Sequence, residues 1–145
     1  MKRSTGLRNF MLVTGSLKAA MDGSVIKIFS GAEPANADAA IGVATLLCTI
    51  SVDGTGTGVT IDVSAASGAV TKNPSEVWIG DVLVSGQASF WRMQKPADDN
   101  SNSTSAPRLQ GTVGLIGADL NFSSINLISG DARRINNFVA SIPAG

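Results

Sequence analysis

The chain has 145 residues, of which 43% are hydrophobic and only 15% are charged, and its Lys+Arg and Asp+Glu counts are equal at 11 each. This charged share is well below the roughly 25% that is usual for soluble domains, and the net charge is zero. Such a surface argues against nucleic acid as a partner and favours partial coverage in an assembly. The chain has no His, which removes the commonest general acid–base residue and metal ligand.

The N-terminal segment, residues 1–22, is predicted to form a short helix or an arm. Ser4 or Thr5 is a suitable N-cap, Gly15 interrupts the apolar positions that follow, and Asp22-Gly23 is a helix-ending pair. We expect this segment to dock on a neighbouring subunit.

Phosphate binding by the same segment is a weaker interpretation. It would rest on three basic residues: Lys2, Arg3 and Arg8. Three charges are too few for a phosphate-binding arm.

We recognise no signal peptide, and no stretch approaches the ~20 apolar residues of a membrane span.

Residues 23–145 are predicted to form one all-β domain, an antiparallel β-sandwich or jelly roll. Apolar and polar residues alternate in short runs, and turn signals separate these runs every 8–12 residues or so, as is typical of such folds. The predicted strands are 24–30, 45–52, 59–63, 77–84, 87–94, the two arms of 108–122, 125–128 and 132–142. A loose link is expected at 64–69.

Two of these elements stand out. Residues 108–122 show the clearest hairpin pattern, with a turn at 117–119 and with Gly111 and Gly114 placed for close sheet packing or a bulge rather than for a ligand. Large apolar side chains alternate on both faces of the strand 87–94. We therefore expect the core to cover one face of this strand and a helix or a partner chain to cover the other.

Three features invite a chemical interpretation, and each has a structural one that we favour. Cys48 lies within an apolar strand and is predicted to be a buried hydrophobe rather than a reactive thiol. The Gly-rich stretch 53–58 lacks a Lys-Ser/Thr ending and precedes a strand, so it predicts a hairpin turn rather than a phosphate loop. Asp98, Asp99 and Asn100 lack the spacing of a calcium loop, so 98–106 is expected to be a plain solvated loop.

No residue is predicted to be catalytic, to bind a cofactor or to ligate a metal, and we expect the protein not to be an enzyme. Three aspartates lie at turns, where Asp is favoured for local backbone bonding: Asp81, Asp119 and Asp131. Trp78 and Trp91 lie within strand patterns and are expected in the core or an interface.

Several motifs together resemble small structural proteins of tailed bacteriophages. The first is Met21-Asp-Gly-Ser-Val-Ile-Lys-Ile-Phe-Ser-Gly-Ala-Glu-Pro-Ala-Asn-Ala-Asp38, followed by Ala44-Thr-Leu-Leu-Cys-Thr-Ile50. The second is Gln110-Gly-Thr-Val-Gly-Leu-Ile-Gly-Ala-Asp-Leu120, and the third is Arg134-Ile-Asn-Asn-Phe138. The family has a short turn where this chain has the loop 98–106.

The resemblance implies a β-structured virion protein without catalytic or ligand residues, made in the bacterial host cytoplasm. Two positions in the particle are open: a capsid cement (decoration) protein, and a neck or tail component. As cement, it would bind the major capsid protein and copies of itself, with no direct contact to nucleic acid or membrane. A receptor- or carbohydrate-binding β-sandwich is the further alternative.

Overall fold

The computed structural model describes residues 1–144, and about 40% of the chain is in strands and 10% in helices. The helices are α1 (Thr5–Val13) and α2 (Leu17–Met21). The strands of the first half are β1 (Lys2–Arg3), β2 (Val25–Ser30), β3 (Thr45–Val52), β4 (Ile61–Ala66) and β5 (Ala69–Lys72). Those of the second half are β6 (Trp78–Asp81), β7 (Gly86–Gln87), β8 (Phe90–Gln94), β9 (Leu109–Gly114), β10 (Leu120–Asn121), β11 (Asn126–Leu127), β12 (Ala132–Ile135) and β13 (Val139–Ser141). The predicted all-β fold with a short N-terminal helix is confirmed.

The main sheet has the order β1-β9-β8-β2-β3-β6-β12, and β10 adds to the outer edge of β9. It curls around Phe138, whose ring lies 5.5 Å from that of Trp78 on β6 and 5.4 Å from that of Trp91 on β8. Since β2 and β3 separate β6 from β8 in the sheet, contact with both tryptophans requires a concave face. This face holds the core.

A smaller sheet, β13-β5-β4, packs beside the main one. The predicted strand 132–142 is therefore wrong as one element, because it divides into β12 in the main sheet and β13 in the small sheet. Phe138 lies between the two and fills the core, which is the physical reason for the break. The expected loose link at 64–69 is also wrong: it contains the β4–β5 hairpin, whose turn residues Ser67 and Gly68 have φ angles of 52° and 73°.

Of the two forms predicted for the N-terminal segment, a short helix or an arm, the structure shows the helix. The Ser4 hydroxyl accepts a hydrogen bond from Leu7 N, as an N-cap does. It also accepts a hydrogen bond from Arg108 N at 2.9 Å. Leu7 and Met21 are fully buried in the core of their own chain, and β1 pairs with β9. In this structure the segment packs on its own domain and does not extend as a free arm.

The predicted hairpin at 108–122 is wrong, because β10 runs parallel to β9 with Leu120 opposite Val113. β1 already occupies the first half of this edge, with Lys2 opposite Gln110. The chain after Gly114 therefore cannot fold straight back along β9. It leaves through a loop and returns beside the second half of the strand.

Close packing at the glycines of β9 is confirmed. A Cβ added at Gly111 would lie 2.7 Å from Asp119 Oδ2 and 2.9 Å from Trp91 Nε1. Alternation in β3 is interrupted by a register shift against β2, which leaves Leu47 and Cys48 both buried although they are neighbours. Leu47 is thus a core residue, although strict alternation with Cys48 would place it on the opposite face of the strand.

Candidate functional site

Cys48 is confirmed as a buried structural residue. Its side chain on β3 has no exposed surface. Burial, and secondarily the charge of Asp81, raises the pKa of the thiol to about 12. The thiolate that would act as a nucleophile or metal ligand is therefore almost absent at neutral pH.

The three turn aspartates do not converge on a site. Asp119 accepts hydrogen bonds from the Met1 amino group at 2.9 Å and from Thr112 N at 3.1 Å. Burial alone would raise the pKa of Asp119, but the hydrogen bonds from Met1 and Thr112 and the charge of the Met1 amino group together outweigh it, and the pKa is lowered. Asp81 ends β6 and Asp131 precedes β12, and both are exposed. Among residues 1–144, no group of three His, Cys, Asp or Glu side chains is placed to hold a metal ion.

The Gly-rich stretch 53–58 is a turn, as predicted. Asp53 and Gly54 have φ angles of 52° and 70°, and Thr55 N donates to Val52 O at 3.0 Å. Positive φ at both central residues is the mark of the primed turns that join antiparallel strands. The next regular element is β4, so no helix N-terminus stands behind the glycines to bind phosphate.

Both tryptophans are core residues, as predicted. Trp78 and Trp91 have no exposed surface, and the Trp78 indole donates a hydrogen bond to Glu76 Oε2 at 2.7 Å. Neither ring is available to stack on a sugar. Since the chain has no Tyr, the aromatic platform that carbohydrate-binding sandwiches commonly use is missing.

A buried polar cluster that the sequence did not predict lies on the outer face of β8 and β9. It consists of Arg92, Asp98, Arg108 and Gln110. The Asp98 carboxylate accepts hydrogen bonds from Arg108 Nε and Arg108 Nη2, each at 2.6 Å. Arg92 Nη2 donates to Gln110 Oε1 at 2.6 Å and to Ala39 O at 2.9 Å. An arginine inside the apolar run Phe90–Met93 is the one sequence signal of this cluster.

Burial and mutual charge set the ionisation of this cluster. Burial, and secondarily the charge of Arg108, lowers the pKa of Arg92 to about 10. Burial would raise the pKa of Asp98, but its hydrogen bonds with Arg108 and with Asn100 N outweigh this, so the pKa is lowered. Asp98 is thus a carboxylate at neutral pH and neutralises one of the two buried guanidinium groups.

The cluster attaches two loops to the sheet. Arg108 Nη1 donates to Ala37 O in the loop before β3, and Asp98 belongs to the loop before β9. These loops supply the second cover of β8 that we expected from a helix or a partner chain. The expectation of a plain solvated loop at 98–106 is wrong in part, because the Asp98 side chain is only 7% exposed and Asn100 is buried. The arrangement is structural, since no member of the cluster is directed at solvent.

A different region carries the strongest surface signal. β2, β6 and β9 end where β3, β8 and β12 begin, as the pairs Ser30–Thr45, Phe90–Thr112 and Asp81–Ala132 show. Six exposed large hydrophobic residues lie in the connections at this end of the sheet. This set, the loop-end patch, is Val43, Leu83, Val84, Leu115, Ile116 and Ile128. Ile116 is 91% exposed and Leu83 is 68% exposed.

The remaining exposed large hydrophobic residues lie on α1 and the small sheet: Leu12, Val13, Val63, Val139 and Ile142. Exposed apolar side chains in the connections at one end of a sheet are candidates for a contact surface. In the sequence the residues of the loop-end patch stand singly or in pairs beside turns. No periodicity marks them, which is why the loop-end patch was missed.

The chain has no match among the family models, the curated proteins or the solved structures with which it was compared. The resemblance to phage structural proteins therefore rests on its quoted motifs alone. Within residues 1–144, neither helix is long and apolar enough to span a membrane.

Proposed function

We propose that this protein is a structural component of a tailed-bacteriophage virion, and that within the virion it is a capsid cement protein. In that role it binds the major capsid protein and copies of itself at the outer surface of the shell. The observation that carries the proposal is the loop-end patch, which offers apolar contact surface on a sheet whose interior is fully packed.

The energetics of cementing suit such a patch. A fully buried Leu or Ile side chain contributes about 1.5–3 kcal/mol relative to its exposed state. A few such contacts per copy give modest affinity, and repetition over a capsid lattice multiplies it. The low charge of the chain is consistent with this role, because interface cores are depleted in charged residues.

The interface that we propose differs from the one expected from the sequence. The N-terminal segment, which we expected to dock on a neighbouring subunit, packs on its own core, and the loop 98–106, which we expected to be solvated, is held in place by Asp98. The loop-end patch has no comparable cover within residues 1–144. It therefore supports an assembly role better than either segment named from the sequence.

Mass spectrometry of particles purified from cells that carry the gene tests the proposal. The expected result is this protein at a copy number comparable to that of the major capsid protein, with cryo-microscopy density on the outer shell. Absence from the particles contradicts a virion role. A copy number of only a few contradicts the cement role and favours the neck or tail position.

A further inference from the structure

A groove runs along the gap between the two edges of the curled main sheet. Its walls are residues 120–123 and 132–137, and its volume is about 420 Å³. The first wall contains β10 and the second contains β12, which belong to opposite edges of the main sheet. Because the sheet curls around Phe138, these two edges approach each other without pairing.

Each wall presents an unused strand edge. Among residues 1–144, β12 pairs only with β6 and β10 pairs only with β9. Every edge strand exposes a row of N–H and C=O groups that can pair with a further strand. An opening bounded by two such rows fits extended polypeptide better than any compact ligand.

The groove is also positively charged. Arg133 and Arg134 lie on its β12 wall, and no carboxylate within residues 1–144 forms a salt bridge with either. A second hollow of about 270 Å³ continues from Asn136 and Asn137 to Lys72. The carboxylate of Glu76, which is near Lys72, is occupied by Thr60 N, Thr60 Oγ1 and Trp78 Nε1. A ligand of opposite charge would therefore find Arg133 and Arg134 without a carboxylate partner, whereas Lys72 already donates to Asn73 O and Glu76 O.

Charged residues on an edge strand commonly serve only to prevent aggregation. Arg133 departs from that role, because its Nε is buried and has no hydrogen-bond partner. Its Nη2 donates to Asn126 O at 3.3 Å, which holds the guanidinium near β11. A solely protective arginine would keep all its donors in water.

We propose that this groove binds an extended, acidic segment of a partner protein, which adds as a strand between β10 and β12. The backbone of the segment pairs with the two edges, and carboxylates on its two faces pair with Arg133 on one face of β12 and with Arg134 on the other. The four residues of β12 correspond to about 13 Å of extended chain, at about 3.3 Å per residue. This inference does not depend on the virion proposal, and either can fail alone.

Nuclear magnetic resonance on the full-length, isotope-labelled chain tests it. The probe is a blocked synthetic peptide of alternating threonine and valine with two adjacent aspartates, one on each face. We expect it to shift the amide signals of 120–123 and 132–137. Replacing its aspartates with lysines, or its central residue with proline, is expected to weaken binding by about tenfold or more.

The matched variants are Arg134→Glu in the groove and Arg8→Glu on α1, both at exposed arginines. The first is expected to weaken peptide binding by about tenfold, and the second to leave it unchanged. Arg134→Gln, which only removes the charge, gives an intermediate loss and serves if the reversal disturbs folding. These ratios distinguish a specific charge contact from general electrostatic attraction.

Three results would overturn the inference. They are the absence of amide shifts at millimolar peptide, shifts confined to the loop-end patch or α1, and equal binding of the lysine peptide. A single-stranded oligonucleotide is the competing anionic probe. If it binds the groove more tightly than the aspartate peptide, the occupant is nucleic acid and the peptide assignment is wrong.

Discussion

Asp98 and Arg108 form a buried two-point ion pair across the base of the loop that precedes β9. Two guanidinium nitrogens of Arg108 each lie 2.6 Å from a carboxylate oxygen of Asp98, and the two side chains are 7% and 1% exposed. Fork-to-carboxylate geometry of this kind is among the stronger charge-assisted contacts in proteins. Its main consequence is that two long loops remain packed over β8.

Asp98→Asn is expected to destabilise the fold by about 3 kcal/mol. The substitution keeps the shape of the side chain but leaves Arg108 buried without its counter-charge, and breaking a buried pair in this way typically costs about 3–5 kcal/mol. The free energy of unfolding from urea titration measures the loss. Asp99→Asn is the matched control because Asp99 is exposed, and we expect it to leave the urea midpoint unchanged.

The same pair makes stability depend on acid. Since the pKa of Asp98 is lowered from its ordinary value of 3.8, the folded protein holds this carboxylate charged at pH values where the unfolded chain begins to protonate it. The pair's contribution is thus complete above 3.8 and is lost as the pH falls through the lowered pKa.

Unfolding free energies measured from neutral pH down into this range should fall more steeply for the wild type than for Asp98→Asn. Asp38 and Asp119 also have lowered pKa values and contribute to the fall in both proteins. The comparison of slopes therefore isolates Asp98. Equal slopes would show that its carboxylate does not titrate differently in the folded state.

Cys48 is expected to resist thiol reagents while the protein is folded. Its pKa of about 12 and its complete burial leave little thiolate and no access. Modification at mildly alkaline pH should therefore follow the rate of unfolding and become fast in urea. Rapid labelling of the native protein, compared with a small free thiol as the control, would contradict the buried assignment.

Sequence patterns predicted the elements that local residues determine. The strands 24–30 and 45–52, the Ser4 cap, the turn at 53–58 and the burial of both tryptophans follow from alternation, capping and turn chemistry within a few residues. The burial of β8 on both faces was also foreseeable, because both alternating sets contain large apolar groups.

The remaining features depend on partners distant in the chain. The direction of β10 follows from the occupation of the β9 edge by residues 2–3, more than 100 positions away from their partners. The buried polar cluster joins loops before β3 and β9, and its charges look like surface residues in the sequence. The loop-end patch arises only when four separate connections meet at one end of the sheet.

Gly111→Ala tests the close contact between β9 and its surroundings. The added methyl would lie 2.7 Å from Asp119 Oδ2 and 2.8 Å from Asp119 Cβ, so the turn that binds the Met1 amino group must move. Overpacking of this kind typically costs about 1–3 kcal/mol. Thermal unfolding measures it, with Asp119→Gly combined with Gly111→Ala as the control, because glycine lacks both clashing atoms of Asp119. If the methyl clashes with Asp119, the added cost of Gly111→Ala should be smaller in the Asp119→Gly background.

Leu83→Asp combined with Ile116→Asp is expected to abolish most incorporation into particles while leaving the fold intact. Both side chains are more than half exposed, so their replacement removes little core burial. At a contact surface, each loses up to about 1.5–3 kcal/mol and adds a charge that must be desolvated, which predicts at least a tenfold reduction in bound copies. Quantitative mass spectrometry of purified particles measures this reduction.

Val63→Asp is the matched control, because Val63 is 87% exposed on the small sheet, outside the loop-end patch. It is expected to be incorporated like the wild type, and urea midpoints should agree among the three proteins. Wild-type incorporation of the double variant would exclude the loop-end patch as the capsid contact. Loss with Val63→Asp alone would instead place that contact on the small sheet.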